Sequence, residues 1–161
     1  MELTQERLKE LLWFDKQKGV FCWVQDRPGK VKKWDLAGTK HKSGYVKIFI
    51  DGKNYQAHRL VWLYMTGFWP KKDIDHINNK RDDNRFENLR EATRSQNQMN
   101  AKRIDKESGF VGVKKNKATN NWVAAYKGTK VECSSPIEAA KEYNRLVKVL
   151  GCPEFSYLNP L

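Results

Sequence analysis

Residues 73–103 read DIDHINNKRDDNRFENLREATRSQNQMNAKR. A very short strand, a long polar loop, a second short strand and a helix can be read from them in that order. The helix start is well marked, because Thr93 with Gln96 three residues on forms a capping box. Asn97 then sits in the first turn, and Asn100 lies one turn further along the same face. A lone hairpin and a lone short helix are each marginal, so the hairpin 73–92 is expected to fold onto the helix. That brings one side chain of the first strand to the first helical turn, and Asp75 and Asn97 are the natural pair. Both offer hard oxygen ligands. Two such ligands that leave positions open for water and phosphate describe a Mg²⁺ site, with Mn²⁺ as its substitute, better than a soft-metal one.

His76 follows Asp75 directly, and neighbours on a regular strand point to opposite sides. In-line phosphoryl chemistry needs such opposition. A metal stabilises the leaving oxygen on one side of the phosphorus, while the attacking water and its base lie on the other. An imidazole of ordinary pKa, about 6.5, is largely neutral at pH 7 and can take the proton of the water. Asn88, in the loop, would tie the loop ends by side-chain to backbone hydrogen bonds and so hold the strand that carries His76. A blander reading stays open beside each of these. An Asp-His pair alone is commonplace on surfaces, and Asn88 and Asn97 also suit a turn and a helix surface.

The order Asp75-His76, Asn88, Asn97 within IDHINNKRDDNRFENLREATRSQNQMN resembles the HNH endonucleases, in particular their phage and homing branch. The resemblance implies a ββα-metal fold with His76 as general base, Asp75 and Asn97 as ligands of one divalent ion per active site, and Asn88 as the loop-fixing residue. Many members place a histidine where this chain has Asn97, so transition-metal binding is disfavoured, and the zinc-ribbon cysteines of other branches are absent. Upstream, AHRLVWLYMTGFWPKKDIDH is similar to the segment that precedes the motif in many phage-borne members. His58 and Arg59 in it are expected to contact phosphate or to support the site. Arg90 and Arg94 are taken as further DNA contacts.

Nearer the N-terminus, residues 4–13 (TQERLKELLW) place Leu8, Leu11 and Leu12 on one helical face behind Thr4 as N-cap. From Gly19 to His58 the runs GVFCWV, GYVKIFI and KNYQAH predict a small antiparallel sheet, with Asp51-Gly52 as a hairpin turn. Residues 59–66 (RLVWLYMT) suit a buried short helix stopped by Gly67.

Beyond a linker at 101–107, FVGVKK, NWVAAYK and KVEC read as three strands, and Ser135-Pro136-Ile137-Glu138 opens a helix from 136 to about 150 that Gly151 ends. Residues 109–159 resemble the AP2 DNA-binding domain through GFVGVKKNKATNNWVAAY, Cys133, SPIEAAKEYNRLVKVLG and the closing Leu158-Asn159-Pro160. That resemblance implies a three-stranded sheet lying in the major groove with the helix packed behind it. Lys114, Lys115, Lys117, Trp122, Tyr126 and Lys127 are the positions that could face DNA, although Trp122 and Tyr126 also read as core aromatics. Lysines, asparagines and alanines stand where plant members carry arginines, which favours phosphate positioning over bidentate guanine readout.

Composition sets the frame for these readings. Among 161 residues, 31 Lys and Arg against 19 Asp and Glu give a net charge of +12, and the excess is positive in each third of the chain. A polyanionic partner follows, engaged along an extended track. No run is long and apolar enough for a membrane span, and the charged first residues do not read as a signal peptide. Three cysteines, odd in number and never in a CxxC pair, argue against a disulfide framework and against zinc.

The predicted class is α+β in three parts: 1–57, an N-terminal helix and antiparallel sheet; 58–106, the ββα-metal module; 107–161, the AP2-like domain. The function expected is a Mg²⁺-dependent endonuclease of homing type that nicks double-stranded DNA as a monomer, in the cytoplasm of a bacterial or phage-infected cell. A catalytically inactive DNA-binding regulator on the same modules is the alternative, and an RNA-directed protein a third.

Overall fold

The computed structural model describes residues 2–100 and 103–161. It divides into two compact units, Met1–Thr93 and Arg94–Leu161, where the sequence suggested three parts. Residues 101 and 102, at the head of the expected linker, lie outside the described residues.

The first unit opens with α1 (Gln5–Leu11), capped by Thr4, whose hydroxyl accepts a bond from the Arg7 amide at 3.2 Å. The helix is shorter than its apolar pattern predicts. Leu12 adopts an extended backbone and starts β1 (Leu12–Asp15), pairing with Trp23 of β2 (Val20–Trp23). Cross-strand pairing with Trp23 overrides the helical preference of Leu12, while Trp13 suits a strand. β3 (Leu36–Ala37) completes this sheet, and β4 (Thr39–Lys40), β5 (Val46–Ile50) and β6 (Lys53–Gln56) form a second one.

The single sheet expected for residues 19–58 is therefore two. The chain leaves the first at Gly38, whose φ of +102° only glycine adopts readily and whose missing Cβ would lie 2.8 Å from the Lys47 carbonyl. Asp51 and Gly52, both at positive φ, form the expected two-residue turn between β5 and β6. Next come α2 (Ala57–Thr66), ending at Gly67, and β7 (Asp73–His76), which pairs antiparallel with β8 (Leu89–Ala92).

One apolar cluster holds this unit together. It draws Leu8 and Leu12 from the first helix and strand, Phe21, Ile48 and Leu60 from the sheets and α2, and Ile74 and Leu89 from the β7–β8 pair. The elements before and after residue 57 therefore share one interior.

The second unit begins with α3 (Arg94–Met99), so β7, β8 and α3 follow one another in the expected ββα order across the unit boundary. β9 (Val113–Lys115), β10 (Trp122–Tyr126) and β11 (Thr129–Cys133) form a sheet in the order β11-β10-β9, covered by α4 (Pro136–Leu150). The Ser135 hydroxyl caps α4 by accepting from the Glu138 amide at 3.2 Å, while Glu138 accepts from the Ser134 amide at 3.1 Å. Val113, Ala124, Ala140, Tyr143 and Val147 fill the space between sheet and helix. Asn159 clips the C-terminal segment to the sheet, accepting from the Val111 amide at 2.7 Å and donating to its carbonyl at 3.0 Å.

Gly19, in the β1–β2 turn at φ +68°, packs so closely on the loop before β8 that a Cβ would lie 2.5 Å from the Arg85 nitrogen and 2.8 Å from the Asn84 carbonyl carbon. Both are backbone atoms and cannot swing aside. Gly19→Ala is expected to cost about 1–3 kcal/mol through clash and a left-handed backbone. Thermal unfolding followed by circular dichroism checks this, with a fall in Tm of several degrees expected.

Candidate functional site

The loop 77–88 carries more polar side chains than apolar ones, and it is closed by them. Asn88, buried, uses its whole amide. Its Oδ1 accepts from the Asn78 amide at 3.0 Å, and its Nδ2 donates to Asn78 Oδ1 at 3.0 Å and to the Asp83 carbonyl at 2.8 Å. Asp83 takes a two-pronged contact from Arg85, Nε at 2.8 Å and Nη2 at 2.7 Å, and a third bond from Asn78 Nδ2 at 2.7 Å. The Arg85 pairing, reinforced by Asn78, holds the Asp83 carboxyl well below the usual carboxylate range. Lys40 of β4 grips Asp82 at 2.6 Å, and Arg81 reaches back to the Ser43 carbonyl at 2.8 Å while lying over the Tyr45 ring. The loop is thus clamped to the second sheet.

This frame fixes what surrounds His76. The imidazole is buried, with Nε2 3.1 Å from Asn84 Oδ1. The rings of His58 and Tyr45 pack on it at centroid distances of 5.1 and 5.9 Å. Burial lowers the His76 pKa, opposed by the Asn84 bond and by the charges of Asp75, Asp83 and Asp82. The ring is neutral at pH 7 as a result, the state a proton acceptor requires.

Asp75, its neighbour on β7, meets different partners. Its Oδ2 accepts from Arg90 Nε at 2.8 Å and Nη2 at 2.7 Å, and Arg90 is its register partner on β8. Both side chains are largely buried. Arg90, expected to contact DNA, turns its Nε and Nη2 to Asp75, because antiparallel pairing sets the two side chains face to face on one side of the hairpin.

His58 is 4% exposed, wedged between Tyr45 and His76. Packed on the His76 ring, it is placed to support the site. Arg59, one residue on, points elsewhere and lies over Trp69. Two residues that sequence reasoning passed over, Asn84 and Tyr45, are direct neighbours of His76. The only signal for Asn84 was one more asparagine in an already polar loop.

As a seat for a divalent ion, Asp75 offers one hard carboxylate, which suits Mg²⁺ because that ion keeps several of its waters and takes one or two protein carboxylates. Among the described residues no cluster of three or more His, Cys, Asp or Glu side chains could hold a metal by itself. The single hard carboxylate fits a largely hydrated hard cation.

Residues 55–99 match the family model described as HNH endonuclease. That segment, which holds β7, β8 and α3, is where the chain is similar to HNH nucleases. Comparison with curated proteins returns no significant match. A solved structure of the HNH homing endonuclease I-HmuI, described as DNA binding and cleavage by that enzyme, is similar over 87% of this chain and 83% of its own, at 23% identity and a TM-score of 0.42. A likeness that distant carries no functional argument.

The remaining nominated residues of the HNH module and the sheet beyond it fall in the second unit. Asn97 lies half-buried on α3, with Arg94 exposed at the start of the same helix. On the sheet, strand alternation sorts the nominated positions onto two faces. Trp122 and Tyr126 pack against the core, and Lys115 lies over the Trp122 ring, which its register partner presents. Lys127, at the β10–β11 turn, donates to the Leu150 carbonyl at the end of α4. The open face is different: Lys114, Val123, Ala125 and Lys130, with Lys115 at its margin, line a shallow depression of about 550 Å³. Lys117 is exposed in the loop after β9. Trp122 and Lys127 are thus engaged on or near the helix side, Lys115 reaches both the Trp122 ring and the depression, and Lys130, which the sequence pattern did not single out, stands on the open face.

Burial pushes the His58 pKa down to about 3, with the His76 and Arg59 charges acting in the same direction. The unfolded chain binds this proton near the ordinary value of about 6.5. Stability from the neutral ring is complete above that value and is lost as pH falls toward the folded value, at up to about 1.4 kcal/mol per pH unit. Urea unfolding at stepped pH should show His58→Phe losing less stability than the parent between pH 6.5 and 4. Parallel curves would contradict the assignment.

Proposed function

We propose that the chain is a DNA endonuclease of homing type, dependent on a divalent ion, in which the HNH module hydrolyses one phosphodiester of double-stranded DNA per active site and so nicks the duplex. The observation that carries this reading is the neutral, buried imidazole of His76, fixed next to a buried carboxylate inside the matched segment. HNH nucleases generally use a divalent metal. Here Asp75 and Asn97 would hold it, as Mg²⁺ or Mn²⁺, and the ion would supply positive charge to the phosphate as negative charge develops on the leaving oxygen.

The chain's own residues do the rest. His76 accepts the proton of the attacking water, with an expected contribution of about 100- to 10,000-fold. Asn88 keeps the loop closed so that the β7 backbone does not drift. Arg90 holds Asp75 in one orientation from the neighbouring strand. The second unit is proposed as an AP2-like DNA-binding module whose sheet tracks the duplex through phosphate contacts. The net charge of +12 and the lysines on the open face support that assignment. Arg59 and Arg94 are proposed as further backbone contacts, the protein as a monomer, and the bacterial or phage-infected cytoplasm as its setting.

Supercoiled plasmid incubated with the protein, with and without Mg²⁺ or Mn²⁺, tests the reading. Relaxed circles should accumulate only with the ion. His76→Ala should lower the rate at least about 100-fold while affinity in a gel shift stays within about threefold of the parent. Equal loss of binding and cleavage would count against the base role. A protein that shifts DNA but leaves every plasmid supercoiled would be a non-catalytic DNA-binding regulator instead.

A further inference from the structure

The bond between His76 and Asn84 decides which nitrogen of the imidazole is the base. Asn84 is 2% exposed. Its Nδ2 faces the Asp82 carbonyl at 3.4 Å, an acceptor, which orients the amide so that Oδ1 is the atom turned toward His76. An amide oxygen only accepts. The proton of the neutral ring must therefore reside on Nε2, leaving the lone pair on Nδ1.

Nothing in the ring's own chemistry strongly fixes that choice, and Asn84 is held by elements far from it in sequence. Asp82 on one side is gripped by Lys40, and Arg85 on the other is paired with Asp83. The Asn84–Arg85 backbone rests directly on Gly19. A side chain braced from both sides is a means of holding one tautomer.

We propose that Asn84 is the positioning residue of the nuclease site, locking His76 in the Nε2–H tautomer so that Nδ1 is the atom that takes the proton of the attacking water. The catalytic half of this inference rests on the nuclease reading above; the tautomer half does not. In the step, a water O–H bond breaks, its proton passes to Nδ1, and its oxygen forms the new bond to phosphorus. The bond from phosphorus to the leaving oxygen breaks, and that oxygen departs with the electron pair and takes a proton from solvent. The imidazolium so formed carries its original proton on Nε2, and the bond to Asn84 strengthens as charge appears on the ring. Asn84 thus stabilises the protonated base without touching substrate.

Two readouts on the full chain test the proposal. Long-range ¹H–¹⁵N correlation spectra at pH 8, with His76 assigned by comparison with His76→Gln, should show Nε2 protonated and Nδ1 unprotonated in the parent. Asn84→Leu should give a mixture of tautomers or the reverse form, and Asn84→Asp, which still presents an accepting oxygen, should restore the parent pattern. In the plasmid assay with Mg²⁺, Asn84→Leu should lower the cleavage rate about 10- to 100-fold, within the range of a disturbed base, with DNA affinity unchanged, and Asn84→Asp should recover most of it. An Nδ1–H tautomer in the parent overturns the proposal even if no variant folds, and so does a parent-like spectrum with parent-like cleavage in Asn84→Leu. A parent that shows the Nε2–H form but never cleaves would refute the nuclease reading and with it the catalytic half, leaving the tautomer assignment standing.

Discussion

A loop as long as 77–88 between two very short strands cannot hold its shape by backbone pairing, because few of its amides and carbonyls have ladder partners. Side chains supply what the ladder does not. Asn88 answers an amide, a side-chain oxygen and a carbonyl at once, and Asp83 collects Asn78 and Arg85. Everything chemical in the first unit depends on that closure. It places Asn84 against His76, and it keeps the β7–β8 register in which Asp75 faces Arg90. Asparagine is the side chain for such work, since one planar amide both donates and accepts without carrying charge into a buried space.

The electrostatic arrangement follows the same economy. The acidic residues near His76 are neutralised locally, Asp75 by Arg90, Asp82 by Lys40 and Asp83 by Arg85. The site therefore holds its carboxylates without presenting bare negative charge, and the positive excess elsewhere on the chain is left to act at longer range. The buried Asp75–Arg90 pair is strong only because each partner compensates the other's desolvation. Arg90 for this reason belongs to the interior of the site.

Much of this was legible from the residues. Turn chemistry marked Asp51-Gly52, caps marked Thr4 and Ser135, and the spacing of Asp75, His76, Asn88 and Asn97 marked the segment that matches the HNH family. What escaped was non-local. Leu12 carries a helical pattern but is captured by Trp23, and Gly38 splits what looked like one sheet into two. Faces on the second unit's sheet were mixed because lysine at consecutive positions, such as Lys114 and Lys115, gives no periodic signal. Asn84 and Tyr45 meet His76 only through the folded loop and the second sheet, and no spacing rule within the motif points to either.

The contact of Gly19 with the backbone of residues 84 and 85 also bears on how such a protein is inherited. The family match starts only at residue 55, yet the motif's own strands are seated in an interior built from helix, sheets and turn that precede it. A recombination event breaking the gene just ahead of the recognisable motif would transfer the chemistry without its foundation. A cassette that carries the motif on its own foundation must reach back through the whole first unit as well as forward through α3, so the boundary of sequence likeness and the boundary of exchangeable structure do not coincide.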